Sequence, residues 1–137
     1  MVEHEMREIL FRGKRIGADK WVFGSLLILT DVSDSPHSIN GKLFEIISIY
    51  GNHFVIDPST ISQYADMNDK NGNKIFEGDI VKVSQSGSSY YAKIEYDCGC
   101  FWVSNTDIQI PDTINNFKME FIEVIGNIYD NPDLIGE

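Results

Sequence analysis

DMNDKNGNKIFEGDIV, residues 66–81, carries the acids, amides and central glycine of a calcium loop and then runs into an apolar strand. An EF-hand loop needs oxygen ligands at positions 1, 3 and 5, glycine at 6 and glutamate at 12. With Asp66 first, Asn68 and Glu77 fall at 3 and 12, but Lys70 takes position 5 and Asn71 position 6. A lysine ammonium cannot ligate a cation. With Met67 first, Asp69, Asn71 and Gly72 fall at 3, 5 and 6, but methionine stands at 1 and Gly78 at 12. No helix-period stripe flanks either frame. The stretch is therefore read as two reversals. Asp69, Asn71 and Gly72 supply the first, because such residues tolerate tight turns and positive φ. Glu77, Gly78 and Asp79 supply the second, which launches the strand at Ile80. Ile75 and Phe76 anchor the excursion between them.

Outward from this point the pattern has mostly period two, the signature of strands. Upstream, strands are expected over 7–12, 21–30 with a bend or bulge at Gly24, and 43–50 with 53–56 about Gly51-Asn52. A Gly13-Lys14 turn follows the first. Asp57-Pro58 ends the fourth, since proline donates no ladder bond. Residues 59–67 fit either one helical turn capped by Ser59 or Thr60, or an extended segment. Downstream, 79–83, 90–96 and 100–104 alternate, with turns at 84–89 and 97–99. Residues 106–116 read as a connection or an edge strand ended by Pro111. In 117–129, Phe117, Met119 and Phe121 share a face, and a bulge is expected near Ile122. Residues 130–137 read as a polar tail. The fold class is mainly β, a β-rich α+β at most, with antiparallel strands and little helix. Many short strands with frequent turns point to a barrel or sandwich. The Gly-Asp-Ile-Val pattern fits the opening of an SH3-like small barrel. The 137 residues suit a single domain, divisible into an N-terminal β region over 1–62 and a barrel region over 63–137.

Apolar residues at 42% and aromatics at 12% exclude a disordered chain and allow a core without disulfides or metal staples. No run approaches the roughly 20 apolar residues of a membrane span. The charged N-terminus has no secretory pattern, so a cytoplasmic location is expected. The net charge of −10 is unevenly spread. Residues 95–137 hold nine acids and one base, whereas residues 1–20 hold five bases and four acids. Repulsion from phosphate disfavours general nucleic-acid binding.

No chemistry-bearing constellation emerges. Cys98 and Cys100 would need two further convergent ligands for zinc, and His4, His37 and His53 are scattered. The chain lacks a G-x-S-x-G elbow, a Walker A loop and a G-x-G-x-x-G turn. Glu77 and Asp79 could share an acid–base site at i, i+2 spacing, but beside a turn such carboxylates are expected to be solvated. Trp21, Tyr90, Tyr91, Phe101 and Trp102 could form a stacking platform, against which the acidity weighs. No catalytic residue, metal ligand or cofactor site is assigned.

Three segments together resemble one family: MREILFRGKR at the start, residues 57–83 in the middle, and FIEVIGNIYDNPDLI at the end. Their order and spacing are similar to the YopX family of phages and prophages of Gram-positive bacteria. Its members often carry Thr-Gly where this chain reads Ala65-Asp66, and the Cys98-x-Cys100 pair departs from the family pattern. The resemblance implies a small cytoplasmic protein with a β-rich, SH3-like fold and no established activity. It provides no catalytic residues to carry over. The expectation is therefore a non-enzymatic phage or prophage accessory protein acting by protein–protein contact, with an unidentified protein partner or a further copy of itself. Alternatives are an acidic decoy or regulator of a host nucleic-acid-binding protein, and a nucleic-acid-binding small barrel using the basic N-terminal stretch. No membrane partner is expected.

Overall fold

A computed structural model describes residues 6–105 and 111–135. The chain forms two compact units, residues 1–63 and 64–137. Both are built of antiparallel strands, with 3-10 turns as their only helical elements among the described residues. No helix among those residues is long and apolar enough to cross a membrane.

In the first unit, strands β1 (Phe11–Lys14), β2 (Trp21–Leu29), β3 (Leu43–Ile47) and β4 (His53–Val55) pair in the order β4-β3-β2-β1. Ser62 and Gln63, which open β5 (Ser62–Asn68), add to the far side of β1. β1 begins later than its alternation predicts and runs through Gly13-Lys14, the expected turn, which instead pairs with Val22 and Trp21. The reason is packing. A Cβ on Gly13 would lie 2.7 Å from Ile56 Cδ1, so this glycine admits a buried isoleucine rather than reversing the chain. Gly24 sits where β2 changes partner, since Trp21–Gly24 pair with β1 and Ser25–Leu29 with β3. A Cβ there would overlap the Ile47 carbonyl oxygen.

Residues 58–60 resolve as a short 3-10 turn followed by strand. Its cap is Asp57, not Ser59 or Thr60. The Asp57 carboxylate accepts from the Ser59 amide at 3.0 Å and hydroxyl at 2.8 Å. An aspartate one residue before proline is already extended and free to cap, because proline restricts its neighbour's backbone.

In the second unit, Tyr64 and Asn68 of β5 pair with Phe76 and Lys74 of β6 (Lys74–Phe76), across an irregularity. Asp66, at φ 58°, lies within it. Strands β7 (Asp79–Gln85), β8 (Ser88–Asp97), β9 (Cys100–Ser104), β10 (Asp112–Thr113) and β11 (Ile122–Asn127) form a sheet ordered β10-β9-β8-β7-β11. One face packs Val81, Val83, Ala92, Ile94, Val103 and Ile122 into a buried cluster with Ile75 and Ile114.

The mainly-β antiparallel class holds, but the expected barrel is not closed. β10 and β11 are the two edges, and no ladder joins them among the described residues. A two-residue β10 offers too little backbone to complete a closed ladder. β10 follows Pro111 rather than preceding it, and the edge strand read over 106–110 lies outside the described residues. Met119–Phe121 form a 3-10 turn, leaving Met119 and Phe121 exposed while Phe117 packs on the core. The register break near Ile122 marks where β11 starts. Its bulge falls further on, between Val124 and Gly126.

Candidate functional site: turn hub and outer groove

The 66–81 stretch folds around one carboxylate. Asp69 is fully buried. Its Oδ1 accepts from the amides of Asn71 at 2.9 Å and Asn73 at 2.8 Å, and its Oδ2 from that of Val124 at 2.8 Å. The Asn73 side-chain amide adds a long contact at 3.5 Å. Burial pushes this carboxyl up, but the amides of Val124, Asn73 and Asn71 together outweigh it and hold the pKa below the ordinary value. Backbone N–H groups thus surround the oxygens that a calcium ion would need. The Gly72 amide closes the turn onto the Asp69 carbonyl at 3.0 Å, at φ 82°. The Lys70 amide reaches the Ile122 carbonyl at 2.9 Å, so the reversal is tied to β11 at two points.

The second reversal follows the same logic. Asp79 is buried, and its Oδ2 accepts from the Phe76 amide at 2.8 Å across the Glu77-Gly78 turn. Gly78 adopts φ 85°, donates to the Ile94 carbonyl at 2.7 Å and accepts from the Ile128 amide at 2.8 Å. Asp79 is thereby buried at the turn it closes rather than solvated beside it, while Glu77 is half-buried. Asn71 and Gly72 lie exposed at the turn tip.

Cys98 and Cys100 are exposed thiols flanking Gly99 in the β8–β9 turn. Cys98 and Gly99 both have positive φ, 51° and 78°. The Asp97 carboxylate, 3.6 Å from the Cys98 sulfur, pushes that thiol pKa up and disfavours the thiolate a metal or redox role requires. No group of three or more His, Cys, Asp or Glu residues converges as a metal cluster among the described residues.

The four aromatic residues of the second unit do not assemble as a platform. Tyr90 and Phe101 pack against the core, and the Trp102 indole donates to the Asp97 carbonyl at 2.9 Å. Trp21, in the first unit, lies under Arg12 and Lys14, with cation-to-ring distances of 4.7 and 5.5 Å. Tyr91 remains exposed on the outer face.

That outer face carries a concavity. Because strand side chains alternate, burying Ala92 and Ile94 turns Tyr91, Lys93 and Glu95 outward, and burying Val81 and Val83 does the same for Lys82. The pairing sets Lys82 beside Tyr91. A groove of about 640 Å³ results, with Lys82, Tyr91, Lys93 and Glu95 on its floor and Leu134 and Ile135 in its wall. Lys93 pairs with Glu95 at 3.1 Å. Glu123, opposite Lys82 on β11, pairs instead with Lys70 at 3.7 Å, which leaves the Lys82 ammonium without an ion pair among the described residues.

The wall is what sequence reasoning missed. Residues 130–137 read as a polar tail, yet Pro132–Ile135 form a 3-10 turn packed against β8. The signal was present in Asn127 and Asn131. The Asn131 amide donates to the Asn127 carbonyl at 2.8 Å, the Asn131 side chain accepts from the Asn127 amide at 3.2 Å, and the Asn127 side chain caps Tyr129 and Asp130.

The sequence model of the family described as YopX protein matches residues 10–136. Two crystal structures are similar over almost the whole chain. Protein yopX from Bacillus subtilis is 18% identical with a TM-score of 0.58, covering 94% of this chain and 98% of that one. A protein from Enterococcus faecalis is 25% identical with a TM-score of 0.55, covering 95% and 99%. Comparison with curated protein sequences returns no match.

Proposed function

The chain belongs to the YopX family, whose function is uncharacterised, and on that premise we propose that it is a non-enzymatic accessory protein of a phage or prophage that works by contact with another protein. The observation that carries this reading is the outer groove. It sets an exposed tyrosine beside a lysine that has no ion pair among the described residues, on a five-stranded sheet where a short turn of the chain covers them with a half-buried aliphatic pair, a surface suited to contact with a polypeptide. Of the two acids a catalytic reading would use, Asp79 has a carboxylate oxygen occupied by its own turn, which supports the same view. The Gram-positive sources of the two similar structures support the host class. The net charge of −10 favours a protein partner over a nucleic acid, and a cytoplasmic site of action follows from the same reading.

The test is co-purification of the tagged chain from bacterial cells carrying the phage or prophage, beside a chain with Lys82→Glu and Tyr91→Ala. A defined protein retained by the first and lost by the second is the expected result. A chain that captures nothing across growth and induction conditions contradicts it.

A further inference from the structure

We propose that the outer groove receives an acidic segment of a partner protein bearing adjacent aliphatic residues, and that the chain's own Pro132–Ile135 turn holds its place. This rests on the protein-contact reading above and names the chemistry of the occupant. The first observation is the segment already there. Asp133-Leu134-Ile135, preceded by Asp130, lies against β8 and supplies the apolar wall, yet Leu134 and Ile135 are only half-buried. The face thus holds an aliphatic pair next to the exposed Asp133 without fully enclosing it, while the Asp130 carboxylate accepts from the Asn127 side chain at 3.0 Å. The second is local charge. On a chain of net charge −10, the groove floor carries Lys82 and Lys93 against Glu95 alone, and Lys93 is already bound to Glu95. Lys82 is the ammonium left for an incoming carboxylate, since Glu123 is held by Lys70. The third is Tyr91, 45% exposed between the lysines, whose ring can cover an aliphatic side chain. The turn is a short one, held to β11 through the Asn127–Asn131 bonds and packed on the outer face of β8.

The probe is a labelled synthetic peptide of residues 129–137, YDNPDLIGE, titrated against the full chain and against full chain carrying Leu134→Asn with Ile135→Asn. The released chain is expected to bind the peptide at least tenfold more tightly than wild type. Adding Lys82→Glu, or replacing both peptide aspartates by asparagine, removes that gain. Should the released chain not fold, wild type with millimolar peptide is expected to show amide NMR shifts at Tyr91 and Lys82 that Lys82→Glu abolishes. Equal binding by wild type and released chain, insensitivity to Lys82→Glu, or shifts absent from those residues overturns the proposal. If the wild-type chain captures a partner in cells while the peptide fails in every arm, this occupant is wrong and the protein-contact reading survives.

Discussion

Asp69 decides the reading of the 66–81 stretch, because its oxygens are already filled by backbone donors. In Asp69→Asn one oxygen becomes an amide that cannot accept, and at least one buried N–H loses its partner. That costs on the order of 3 kcal/mol of unfolding free energy in urea titrations. The pH dependence has a definite sign. A carboxyl whose folded pKa lies below its unfolded value, near ~3.9, stabilises fully above that value. This contribution is lost as pH falls through the folded pKa. Wild type should therefore lose stability on acidification below about pH 4, and Asp69→Asn should flatten this part of the curve. Asp66 makes the complementary case. Its φ of 58° is a left-handed backbone that favours glycine, which the family resemblance places there. Asp66→Gly is expected to stabilise by about 1 kcal/mol, and a lowered urea midpoint would contradict it. The first turn's chemistry was legible in Asp69, Asn71 and Gly72. The Val124 amide on Oδ2 was not, because 55 residues separate the partners.

Period-two alternation carried most of the strands, and its failure at Gly13 has a tertiary cause. Where glycine meets a packed side chain, local pattern says turn and tertiary contact says strand. Gly13 looks like a reversal beside Lys14 but makes room for Ile56. Gly24, expected as a bend or bulge within a strand, does lie within β2, at the point where it passes from β1 to β3, and a Cβ there would meet the Ile47 carbonyl oxygen. Gly24→Ala should accordingly destabilise by roughly 3 kcal/mol, by forcing two strands apart. A thermal midpoint within a degree of wild type would show that the sheet can yield there. Pro132–Ile135 escaped for the opposite reason. Four residues are too few for any period, and only the Asn127–Asn131 side-chain bonds mark the turn.

At the scale of the molecule, the mainly-β class was readable from many short alternating runs, whereas barrel closure was not. Closure depends on whether edges meet, and among the described residues β10, with two residues, leaves the sheet open. The groove was half legible. Tyr91, Lys93 and Glu95 face outward by simple alternation, but the wall of Leu134 and Ile135 comes from far along the chain. The central claim is that this groove contacts another protein, and site-specific photo-crosslinking tests it most directly. A benzophenone amino acid at position 91, in cells carrying the phage or prophage, should yield one defined crosslinked protein, with the same probe at exposed Asn71 yielding none. Equal crosslinking at both positions, or none at position 91, would contradict the claim.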